Sequence, residues 1–388
     1  MTLFSKQARN SGIELLKLFA IFLIIISHVV QSLGKVPFDE LQNGYMFDIS
    51  CATTHPQQLV LSMLRYSGEF GNMIFFICSA WFLTEHRRND KKKAFQLMAD
   101  NWSVSVLILL VFVLLRIDLP GNLILKSFFP TFFENNWYVT CYVLFLFVYP
   151  VLNELMEKLN QRTFARVSFG LMFLYFGLAF AKCVFQYLFN VPTMFASSII
   201  NWLCIYFFVG YMKRYRPFLL ESRSFNRKLI IMGFIGTYGL IFLTNVVGLR
   251  VPVFSKALLM WFTPSHPFQL MMALGLFSYA RHAKYVSRTV NYIAGMSLFI
   301  YIIHDNIILR TITRPAVWQY IFLQFGFNHV LGWTFLFVSA LFLFSLIFSI
   351  VYRHSIHIVA GKVCDWLYPK LARLFHIFEE KVLLTTER

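Results

Sequence analysis

The segment "IELLKLFAIFLIIISH", Ile13 to His28, is apolar enough for lipid yet carries a carboxylate, an ammonium and an imidazole. Ionisable groups in such a run are costly in hydrocarbon and point to a bundle interior, a cavity or a site of chemistry. On a helix turning about 100° per residue, Lys17 lies about 60° from Glu14 and His28 about 40° from it, so the three share one stripe. His28 stands about 16 Å beyond Lys17 along the axis. Glu14 and Lys17 read either as a local ion pair, with the lysine reaching the headgroups, or as a contact to a charged substrate. His28 reads either as a helix-to-helix hydrogen bond or as a base or nucleophile.

A second segment, "SLFIYIIHDNIILR" from Ser297 to Arg310, carries His304, Asp305 and Arg310. If its run crosses in the same direction as the first, His304 sits about 18 Å in, a depth similar to that of His28. Two imidazoles at one level predict one cavity. Asp305 and Arg310 mark its outward mouth, with Asp305 about 100° around the wheel from His304 and so placed to cap or pair locally. Weaker signals are Glu69, Ser79 and Trp81, and the cluster Asn136, Trp137, Tyr138 and Tyr142. Aromatic residues at a span's end form an interfacial belt or a substrate platform, and Ser79 needs a neighbouring base to act as a nucleophile. His354 and His357 lie in a basic stretch and read as a solvated face.

The elements that must hold these residues are helices in a membrane. The chain is 58% hydrophobic and 14% charged, too apolar for a water-soluble globule. Runs long enough to cross about 30 Å of hydrocarbon number about ten. They are Ile13–Leu33, Glu69–Leu83, Trp102–Leu115, Tyr138–Leu155, Phe164–Ala181, Phe195–Met212, Leu229–Val247, Pro264–Ala280, Tyr292–Leu309 and Leu331–Tyr352. Prolines before the eighth leave "ALLMWF", Ala257 to Phe262, open to a re-entrant reading. The expected fold is all-α, an integral membrane bundle with no soluble catalytic domain.

The net charge of +17 belongs to loops rather than to a nucleic-acid surface. With both termini inside, most of the 35 Lys and Arg fall in cytoplasmic segments, while Arg310 and Arg314 are read as loop cations of the opposite side. The first run keeps polar groups and lacks a small-residue cleavage site, so it is expected to stay in the mature protein. Six cysteines without paired short spacing predict neither a disulfide framework nor a metal site. Residues 1–355 form the membrane domain, and 356–388 an amphipathic tail lying on the cytoplasmic leaflet, with Val359, Val363, Trp366, Leu367, Leu371 and Leu374 at helical spacing.

Five blocks in order resemble the acyltransferase-3 family of membrane O-acyltransferases that modify bacterial surface glycans. "RNSGIELLKLFAIFLIIISH" is similar to its first-helix signature of a basic residue and a histidine separated by ten positions, here Lys17 and His28. "NMIFFICSAWFL", "NWYVTCYVLFLFVYPVLN", "PFQLMMALGLFSYARH" and "SLFIYIIHDNIILR" are similar to its later helices. The departures are Lys17 for the usual arginine, which keeps the charge without the planar fork, and Ala80 and Trp81 for Gly and Tyr or Phe.

The resemblance implies a bacterial inner-membrane enzyme with no resident cofactor. Acetyl-CoA or another acyl-CoA would enter from the cytoplasm, and a hydroxyl of a glycan or lipid-linked oligosaccharide would accept on the other side. On that basis Lys17, Arg9 and Ser79 are expected to face the donor. His28 is the expected base or acyl relay, supported by Glu14, Lys17 and His304. Trp137, Tyr142, Tyr301, Asp305 and Arg310 are the expected acceptor pocket. The rival class is an exporter of a surface polysaccharide, which a ten-helix bundle would suit equally.

Overall fold

The computed structural model describes residues 9–33, 54–84, 91–183, 198–248 and 267–378. Among these the regular elements are helical. In order they are α1 (Ser11–Gln31), α2 (His55–Leu83), α3 (Lys91–Leu114), α4 (Gly121–Phe128), α5 (Trp137–Lys158), α6 (Gln161–Cys183), α7 (Ser198–Tyr215) and α8 (Pro217–Glu221). Next come α9 (Arg223–Phe234), a π-helical turn (Ile235–Gly239), α10 (Leu240–Gly248), α11 (Pro267–Arg281), α12 (Arg288–Ala294) and α13 (Ser297–His304). A second π turn (Leu309–Thr313) leads into α14 (Arg314–Phe325), α15 (Val330–His354) and α16 (Ile356–Phe378).

Five helices among the described residues are long and apolar enough to cross a membrane, or six if the bent pair Arg288–His304 and Leu309–Phe325 is one span. The anticipated set was about ten. The polar first half of α2 dilutes its hydropathy, and α11 has only 15 residues. The "ALLMWF" segment lies outside the described residues.

Helix α1 is the axis of the bundle. Its apolar window is 67% buried inside the protein, against 22% for α15, and it packs on α2, α11, α12, α13 and α15. Asn10 caps it by accepting from the amides of Gly12 and Ile13, while its own side-chain amide donates to the carbonyl of Arg281 at 2.7 Å. One residue thus starts α1 and fastens it to the end of α11. At the other end, the indole N–H of Trp318 donates to the carbonyl of Val29 at 3.0 Å.

The α1–α2 contact is unusually close because small residues meet there. A Cβ on Gly68 would lie 2.5 Å from that of Ser27, and one on Gly71 would lie 2.6 Å from the carbonyl oxygen of Ala20. Ser67 and Ser27 donate across the contact to the carbonyls of Leu23 and Arg65. These bonds explain why α2 begins at His55, fourteen residues before the run that hydropathy marks. The Ser67 hydroxyl is satisfied by carbonyls of its own and the neighbouring helix, so its polarity does not end α2.

The ninth run is not one helix. It breaks after Ala294 and again after His304, where Asp305 ends α13, and the chain bends by 67° into α14. Asn306 stabilises the break by accepting from the amide of Ile308 at 3.0 Å. The tail helix α16 is fastened to the bundle. His357 donates to the Asp100 carboxylate at 2.8 Å, as does the Tyr352 hydroxyl at 2.9 Å, and Lys92 pairs with Asp365 at 2.7 Å.

Candidate active site

The histidines of α1 and α13 meet. Nδ1 of His28 lies 3.1 Å from Nε2 of His304, and the two rings stack at 5.2 Å between centroids. Both side chains are buried. Nδ1 of His304 lies 2.8 Å from the carbonyl of Ile300, which can only accept, so that nitrogen carries the proton. In the neutral ring Nε2 then holds the lone pair and accepts from Nδ1–H of His28. The base position of a neutral His28 is therefore Nε2.

Asp305 completes the group. Its Oδ1 lies 3.3 Å from Nδ1 of His28 and 3.0 Å from the guanidinium of Arg314, and Oδ2 lies 3.6 Å from that of Arg310. Arg310 also donates to the carbonyl of Asn135, and Asn136 to that of Asp305. The expectation that Asp305 would diverge from the imidazoles is corrected, because α13 ends at His304 and the helical wheel stops with it. Arg310 and Arg314 are likewise not loop cations. Both are buried, Arg314 at 1% exposure, as counter-charges to Asp305.

Below the histidines lies a cavity of about 880 Å³. It opens where α1 begins and follows α1 through Arg9, Ile13, Glu14 and Lys17 to Ile24, roughly 22 Å along the axis. Lys93, Arg281 and Trp81 line its mouth, Cys78, Ser79 and Tyr142 its middle, and Phe75, Tyr138 and Tyr301 its inner end. Lys17 and Glu14 form an ion pair at 3.0 Å within this lining, and Oε2 of Glu14 is buried without a hydrogen bond. The Arg281 guanidinium covers the Trp81 ring at 4.6 Å, and Lys213 approaches that ring at 5.3 Å.

Arg9, Glu14, Lys17, Ser79, Tyr142 and Tyr301 therefore share one chamber. His28, His304, Asp305 and Arg310 form the buried group beyond its inner end. Trp137 stands apart, its ring packed on Phe76 and Tyr138. Reasoning from sequence missed Arg314, Arg281 and Lys93. The apolar run from Pro315 to Phe325, opened by a proline suited to a helix's first turn, was the signal that Arg314 begins a helix.

The fold and this site define an integral membrane protein with a buried imidazole pair beyond the inner end of a cationic cavity. The acyltransferase-3 family, described as an acyltransferase domain, matches residues 10–354, nearly the whole chain. The chain belongs to that family and is a membrane acyltransferase. No curated protein and no solved structure matches it.

Proposed function

We propose that this chain transfers an acetyl or similar acyl group from acyl-CoA to a hydroxyl of a glycan or lipid-linked oligosaccharide. The protein works in a bacterial inner membrane with both termini cytoplasmic. The observation that carries the reading is the cavity. Arg9, Lys17, Lys93 and Arg281 line it, Glu14 is the only carboxylate among its described lining residues, and its inner end at Ile24 and Tyr301 lies one helical turn below the histidines. A long anionic donor with its reactive end leading suits that shape and charge.

The chemistry follows from the tautomers. Once the Ile24 and Tyr301 side chains between the cavity and His28 move aside, Nε2 of His28 takes the proton of the acceptor hydroxyl as the oxygen bonds to the acyl carbon. The carbon–sulfur bond breaks, and the proton passes from His28 to the departing thiolate. His304 and Asp305 hold the His28 proton on Nδ1, so the reactive lone pair stays on Nε2. Arg310 and Arg314 keep the Asp305 carboxylate in place. Glu14 holds Lys17 at the side of the donor channel.

The test is acyl transfer to the native surface glycan in cells carrying His28→Ala, with protein amount in the membrane measured alongside. Loss of about 10²–10⁴-fold at normal protein level is expected of a general base. Full transfer by His28→Ala ends the proposal, and glycan movement without any acyl-CoA consumption by the wild type supports an exporter instead.

A further inference from the structure

Among the described residues the inner end of the cavity is walled by Ile24, Phe75, Tyr138 and Tyr301. Ile24 is one helical turn below His28 on α1, and Tyr301 is one turn below His304 on α13. The Tyr301 ring is the shared boundary. It lines the cavity on one side, and on the other its centroid lies 5.6 Å from that of His304. Across the chamber its edge meets Tyr138, also at 5.6 Å.

The two tyrosines differ in how they are held. Tyr138 stacks on Phe76 at 5.6 Å with an interplanar angle of 11° and touches Phe75, Trp137, Tyr142 and Trp202. It is fixed within an aromatic cluster. Tyr301 stands on α13, an eight-residue helix between two breaks of the chain. Of the two rings it is the one whose removal would extend the chamber without dismantling its walls.

We propose that Tyr301 sets the length of the acyl chain that the site accepts. This rests on the acyl-CoA reading above and deepens it by naming the acyl class as short. A thioester led into the chamber presents its alkyl end to Ile24, Tyr138 and Tyr301, all nearly fully buried, so each added methylene must displace a packed side chain. On this placement a two-carbon group stops beneath the wall, whereas a six-carbon chain needs the volume that the Tyr301 ring fills.

The experiment measures binding of non-transferable thioether analogues of acetyl-CoA and hexanoyl-CoA to the full-length protein in detergent, so no acceptor is needed. For the wild type, the six-carbon analogue is expected to bind about tenfold or more weakly than the two-carbon one. In Tyr301→Ala the two affinities should converge or invert, while Tyr301→Phe, which keeps the ring, retains the wild-type ratio. Tyr142→Ala, lower in the chamber, should weaken both analogues together and leave the ratio alone. A Tyr301→Ala protein that binds both analogues at the wild-type ratio overturns the proposal, as does a wild type indifferent to length. Wild-type protein that binds neither analogue removes the donor reading itself, which separates the two failures.

Discussion

The carbonyl of Ile300 fixes more chemistry than any side chain beside it, because it accepts from Nδ1 of His304 and so dictates which nitrogen of each imidazole carries a proton. That His28 and His304 lie at one depth was legible in the sequence, since depth along a helix is simple arithmetic, but their direct contact outside the cavity lining was not. Its orientation was not legible, because Asp305 was placed by extending a helical wheel past the residue where the helix stops. Asp305→Asn tests the charge group directly. It leaves Arg310 and Arg314 buried beside a neutral amide, which is expected to cost about 3–5 kcal/mol of stability, as removal of one partner of a buried ion pair does. Thermal unfolding in detergent should show the loss, and transfer activity should fall with it. Arg314→Met should then cost less in the Asp305→Asn background than in the wild type. Equal costs in both backgrounds would mean that the two side chains are not coupled.

At the scale of elements, hydropathy found the apolar runs but mistook their ends. It counts composition, and composition cannot tell a polar residue facing water from Ser67, whose hydroxyl is shared between the Leu64 carbonyl of its own helix and the Leu23 carbonyl of the next. Nor does it register that Asp305 and Asn306 halt a helix within an otherwise continuous run. The glycines separate contact from composition in a way that can be measured. A side chain at Gly71 would press on the backbone of Ala20, so Gly71→Leu must force α1 and α2 apart and carry His28 away from His304. Overpacking of this kind costs about 1–3 kcal/mol or more, and a monodisperse, fully active Gly71→Leu protein would contradict the packing described. Gly332 on α15 has nothing within 4 Å of its added Cβ. Gly332→Ala is therefore expected to match or exceed wild-type stability, by up to about 1 kcal/mol from helix propensity.

Across the whole molecule, the apolar, all-helical character was legible in the sequence, but the chamber was not. Its mouth is assembled from the start of α1, the end of α2, the start of α3 and the end of α11, segments that no spacing rule connects. Two cations flank the same Trp81 ring there, and their surroundings differ. Lys213 donates to the carbonyls of Trp81 and Thr84 at 3.0 Å each, closing the C-terminal end of α2. Arg281 lies over the ring and lines the chamber. Lys213→Ala should therefore lower the melting temperature in detergent with little change in the donor KM of the surviving protein. Arg281→Ala should leave melting nearly unchanged and raise the donor KM by about tenfold with kcat retained, the signature of lost uniform binding. Because the attraction is between charges at an open mouth, added salt should raise the wild-type donor KM and raise that of Arg281→Ala less steeply. If the two variants behave alike in both measurements, the division between a helix-closing cation and a donor-binding cation is wrong.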